Sequence, residues 1–161
     1  MPNSDLVRLR DQLRRTLEGE AWHGPALLEL LADVTSDEAL AHPIPGAHSI
    51  WEIVLHLGAI YGLVLRRTQG DARPLTAAED WPPVPAPTAE NWRAAVGRLR
   101  EQNVALRDAL ARFSPDRLDE PLAPEPAYSA YTQFIGLTQH DLYHAGQISL
   151  LKKVLRGVRP V

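Results

Sequence analysis

The sequence predicts an all-α protein built around four long helices, and three observations carry that prediction. Leu and Ala are abundant, whereas the β-branched and aromatic residues that fill strands are few. Apolar residues recur at helical spacing in four long tracts. Capping residues and glycines mark where those tracts begin and end. At 161 residues, 45% hydrophobic and 23% charged, the chain reads as one globular domain, 1–161, able to bury a core.

Taken in order, Leu6, Leu9, Leu13 and Leu17 follow Ser4, a capping residue, and predict a first helix to about Glu18. The break "GEAWHGP" ends it. Pro25 suits the first position of a short extra helix, in which Leu27, Leu28, Leu30 and Leu31 continue the apolar face. "TSDEALAHPIPGAH" predicts a helical turn and then a proline-rich loop in which His42 is solvated. A second long helix opens on the capping box "SIWE", where Ser49 and Glu52 satisfy each other's amides. Ile53, Ile60 and Leu63 mark its expected buried face, and Gly70 closes it.

Residues 70–88 contain five prolines and are long for a loop in a compact domain. In a four-helix protein such a span serves as a crossover that lets the next helix run parallel to the last. Thr88 caps the third long helix, where Trp92, Val96, Leu99, Leu106, Leu110 and Phe113 keep a heptad-like register with Asn103 as the one polar intruder. An irregular link over 114–128 leads to a fourth helix from about Ser129 to Arg156, ended by Gly157. Lys152, Lys153 and Arg156 suit the negative end of its dipole.

The net charge of −3 and the lack of a basic stripe argue against a nucleic-acid partner. "MPNSDLVRLR" is too polar for a secretory leader, and the apolar run 53–65 is too short to span a bilayer and contains His56. A cytoplasmic protein with no membrane partner is expected. With no cysteine, disulfides, thiolate ligands and a cysteine nucleophile are excluded.

"TQHDLYHAGQIS" places His140 and His144 about 40° apart around the fourth helix, on the stripe shared by Leu137 and Leu151. Two imidazoles one turn apart can bind the same metal ion. His56 occupies the row Ile53, His56, Ile60, Leu63, where packing alone would want a leucine. A lone inward histidine commonly donates to a backbone carbonyl. Three from two helices are costly unless their ring nitrogens are satisfied, and one cation satisfies three acceptors together. H-D-x-x-H differs from the zinc-protease H-E-x-x-H, no downstream His, Asp or Glu follows, and Asp141 points about 100° from His140. No G-x-S-x-G elbow supports a serine hydrolase.

"GEAWHGPALLELL", "PIPGAHSIWEIVLHL" and "QHDLYHAGQISLLKK" together resemble the DinB/YfiT-like superfamily of metalloenzymes, the DNA-damage-inducible family rather than the polymerase that shares the name. The resemblance covers nearly the whole chain, with 70–88 and 114–128 as its featureless parts. It implies a four-helix bundle of up-down-down-up topology. It also implies a divalent metal, commonly nickel or zinc, held by His56, His140 and His144, and often a homodimer. Characterised members include transferases and isomerases that use bacillithiol, mycothiol or glutathione.

The expectation is therefore a small-molecule enzyme in which a three-histidine metal site activates a low-molecular-weight thiol for transfer to an electrophile. The alternatives are a non-catalytic metal or small-molecule binder of the stress response, and a metal-dependent hydrolase of a small substrate. Gln147, one turn beyond His144, is a candidate to hold a ligand or contact substrate. Glu52 is a candidate to hydrogen-bond a ligand ring, beside its capping role. Tyr143 is a candidate for the cavity edge, beside simple packing, and Asn103 for the same cavity, beside a core hydrogen bond. His23 and His48 sit at helix starts and carry little weight.

Overall fold

The computed structural model describes residues 4–157. In chain order the helices are α1 (Ser4–Glu18), α2 (Leu27–Leu31), α3 (Ser36–Leu40), α4 (Ile50–Thr68), α5 (Ala77–Asp80), α6 (Ala89–Arg112), a 3₁₀ turn (Pro115–Arg117) and α7 (Ala130–Leu155). Four are substantial, and among the described residues there is no strand. The side chain of Ser4, the expected cap of α1, lies outside the described residues.

Packing follows from the apolar faces. Leu6, Leu9, Leu13 and Leu17 of α1 are all buried, as their spacing predicts. α1 packs on α6 and α7, and α4 packs on the same two helices. Having two neighbours widens the buried arc of α4 beyond the expected row. Trp51, Val54, Leu57, Tyr61 and Val64 are buried along with Ile53 and His56, whereas Ile60 and Leu63 are only half-buried. Contacts run in the same chain direction along α4 and α6, from Trp51 against Trp92 to Tyr61 against Asn103. They run in opposite directions along α4 and α7, where His56 meets His140 and Arg67 donates to Gln133.

The helix ends have readable causes. Ser49 and Glu52 form the predicted capping box of α4, and Gly70 follows that helix with φ +93°, a left-handed turn that glycine adopts freely. Thr88 caps α6 as expected, and Ser129, the expected start of the last helix, caps α7. Pro25 is not the first residue of α2: Ala26 is the cap, its amide held by the Glu29 carboxylate, and the helix begins at Leu27. The basic end of α7 does more than face a dipole. Lys152 donates to the carbonyl of Leu30 and to Asp33, and Arg156 bonds both Asp33 and Glu38, tying α7 to the α2–α3 segment.

The crossover 70–88 is not featureless. Thr76 and Glu79 form a capping box around the single turn of α5, and the Arg73 guanidinium grips the Glu79 carboxylate through two bonds of 2.9 and 3.0 Å. The turn packs on α4. No helix among the described residues is long and apolar enough to cross a membrane.

Candidate metal centre

Three imidazoles meet between α4 and α7. Nε2 of His140 lies 3.1 Å from Nε2 of His56 and 3.1 Å from Nε2 of His144. His56 and His144 are buried and His140 is half-buried. Helical phase accounts for this convergence: His140 and His144 share one stripe of α7, and His56 stands on the face of α4 turned to it. One ligand atom from each ring lies within 4.8 Å of the others, and the group could hold a metal ion.

Hydrogen bonding fixes which atoms face inward. Nδ1 of His56 is 2.8 Å from the carbonyl oxygen of Asp80 and 3.1 Å from its carboxylate. Both partners only accept, so a ring proton sits on Nδ1, which leaves Nε2 as the nitrogen able to offer a lone pair. Nδ1 of His144 meets Oε1 of Gln147 at 2.7 Å, with the same consequence. Two lone pairs thus face Nε2 of His140, whose single proton could serve only one of them. Nδ1 of His140 is itself buried without a partner. Burial, and then the neighbouring His144 and His56, hold His140 down to about 4, and burial also lowers His144, so these two rings stay neutral at pH 7.

The donor set fits a divalent cation. Three neutral imidazoles suit zinc or nickel, and nitrogens about 2.0–2.1 Å from a common centre lie roughly 3 Å apart. A positive ion bound by all three rings would take one lone pair from each and remove the conflict at His140.

The other candidates divide. Gln147 meets a ring of the trio, on the side of His144 away from the centre. Tyr143 is exposed, its ring 5.1 Å from that of His144 at the outer edge of the site. Glu52 does not reach His56: it is spent on the Ser49 amide at 2.7 Å and on the solvent-facing His42 at 2.9 Å. Asn103 does not face the metal centre either. It is fully buried, donating to the carbonyl of Leu13 and to the Tyr61 hydroxyl. His23 lines a surface cavity with Trp22 and Thr138, apart from the trio.

Two residues that sequence reasoning passed over, Trp81 and Asp80, matter here, and a third, Asp141, was read only for its direction. Trp81 stacks on His56 at 4.0 Å with planes 2° apart, and on His48 at 3.6 Å and 9°, so one indole lies between two imidazoles. Asp80 supplies the acceptors for His56. The capping-box pattern T-x-x-E at 76–79 was the available signal that this stretch folds. Asp141 is sealed in the core, where Tyr61 donates to it at 2.6 Å and Thr16 at 3.1 Å. It turns away from the imidazoles, as its helical phase predicts, and burial pushes its carboxyl up to about 7.

Fold and site together define an all-helical protein with a buried three-histidine group between two of its long helices. The family model of the DinB superfamily matches residues 21–148, a span that includes all three histidines, and the chain belongs to that superfamily. No curated protein and no solved structure matches the chain.

Proposed function

We propose that the protein is a metal-dependent transferase that joins a low-molecular-weight thiol, such as bacillithiol, to a small electrophile. The observation that carries this reading is the pair of lone pairs from His56 and His144 facing Nε2 of His140. Nickel or zinc is the ion the donors suit. Three protein ligands leave coordination positions for a substrate, the mark of a catalytic rather than a structural site. Membership of the DinB superfamily supports the metal.

A bound divalent cation stabilises the deprotonated form of a thiol, which supplies a nucleophile that this cysteine-free chain lacks. The chain's own residues do the rest. Asp80 and Gln147 hold the protons of His56 and His144 on Nδ1, so the opposite nitrogens point inward as donors. Trp81 covers one face of His56 and keeps water from it. Tyr143, exposed beside His144, is placed to contact an arriving substrate. In the overall reaction a sulfur–carbon bond forms, the electrophile's leaving group departs, and the thiol proton passes to solvent.

The same reading takes the long helices as an up-down-down-up bundle, supported by the same-direction contacts of α4 and α6, and takes the molecule as a cytoplasmic homodimer. The test incubates nickel- or zinc-loaded protein with bacillithiol, mycothiol or glutathione and monochlorobimane. The expected result is a fluorescent thioether, formed with loss of chloride, at a rate that falls to background in His144→Ala. Absence of turnover with every thiol overturns the reading, and hydrolysis of an ester or amide panel in its place would assign the site to hydrolysis.

A further inference from the structure

The crossover turn α5 carries no metal ligand, yet it makes the closest supporting contacts of any element to His56. Its geometry is built in three layers. Arg73 forks onto Glu79, and Glu79 accepts the amide of Thr76 at 2.8 Å while Thr76 caps the turn in return. That box fixes where the turn ends, which is where the carbonyl of Asp80 and the ring of Trp81 emerge. The carbonyl takes the Nδ1 proton of His56, and the indole lies flat on the same imidazole with His48 stacked on its far face.

We propose that residues 73–81 form a clasp whose closure positions His56 for metal binding, with Trp81 and Asp80 as positioning residues. The inference rests on the metal reading of the three histidines and adds a dependence that those histidines alone do not have. An imidazole on a helix rotates about two side-chain bonds and exchanges its proton between two nitrogens. Asp80 fixes the tautomer and Trp81 fixes the ring plane, so both freedoms are removed before an ion arrives. Coupling is reciprocal: if the closed clasp favours the ion, the bound ion favours the closed clasp. The clasp packs on α4, contains Pro74 and is followed by Pro82 and Pro83, whose fixed φ limits the ways the segment can leave α4.

The experiment titrates Ni²⁺ into the metal-stripped full chain and follows affinity, tryptophan emission and far-UV circular dichroism. Wild type, Trp81→Ala, Trp81→Phe and His144→Ala are compared. Trp81→Ala is expected to lose about 10- to 100-fold in Ni²⁺ affinity with unchanged helicity. Trp81→Phe, which keeps an aromatic face, is expected to recover most of that loss. Ni²⁺ is also expected to quench wild-type emission, and most of that quenching is expected to vanish in Trp81→Phe although the ion still binds. Hydrogen exchange on wild-type protein provides a readout that needs no variant: amides of 77–82 should gain protection when Ni²⁺ is added.

Wild-type affinity in Trp81→Ala, or no gain in protection over 77–82, overturns the clasp while loss of binding in His144→Ala leaves the metal site standing. Failure of wild type to bind Ni²⁺ overturns both.

Discussion

The hydroxyl of Tyr61 donates a 2.6 Å hydrogen bond to the carboxylate of Asp141, and both side chains are sealed in the core. Asp141 adjoins His140 in sequence but serves a different face of α7, where Thr16 also donates to it and Asn103 donates to the Tyr61 hydroxyl. The network joins α1, α4, α6 and α7 at one point in the core, apart from the three histidines. Burial raises the Tyr61 hydroxyl well above its ordinary value, with the Asp141 charge adding to the effect, so Tyr61 stays a donor.

Tyr61→Phe removes the shorter of the two donors to Asp141 and leaves the ring's packing in place. A hydrogen bond to a charged group contributes about 1.5–3 kcal/mol, and the variant should lose stability in that range by urea denaturation above about pH 8, where Asp141 is ionised. A double-mutant cycle with Thr16→Val should show non-additive losses, because both hydroxyls share one carboxylate oxygen. Strict additivity would contradict a shared network.

Gln147→Leu removes the acceptor that holds the His144 proton on Nδ1. Zinc or nickel affinity should fall about 10- to 100-fold, with little change in melting temperature because the side chain is only half-buried. Gln147→Glu keeps an acceptor and should retain most of the affinity. Equal losses in the two variants would show that the contact is packing alone.

Lys152, and then Arg156, hold the Asp33 carboxyl down to about 2 through direct hydrogen bonds. A folded value below the unfolded one means that the contribution is present above about pH 4 and is lost as pH falls towards 2. Asp33 is exposed, so the stabilisation is screened and small, under about 1 kcal/mol. The melting-temperature gap between wild type and Asp33→Asn should therefore close between about pH 4 and pH 2, and also narrow in high salt. A gap independent of both would exclude the ion pairs as its source.

Local periodicity carried much of the architecture. The Leu6–Leu17 row, the Ser49 and Thr88 caps and the span of α7 follow from spacing within one helix, and so does the inward phase of His56, His140 and His144. Less legible was what each polar residue would meet. Glu52 and Asn103 sit where a site-facing role was conceivable, but one is consumed by its own helix start and the other by a core network spanning four helices. Ile60 and Leu63 were over-read because a helix with two neighbours buries a wider, rotated arc. Trp81 was missed because a proline-rich span has no periodicity to show which way its side chains fold back.

The central claim is that His56, His140 and His144 bind one divalent ion together. Its most direct test is the metal content of the purified wild-type chain and of His56→Ala, measured by elemental analysis after equilibration with Ni²⁺ or Zn²⁺ and removal of loosely bound metal. The prediction is one ion per chain in wild type and loss of most of it in His56→Ala, with helicity retained. A wild-type chain that holds no ion, or a His56→Ala variant that holds as much as wild type, would contradict it.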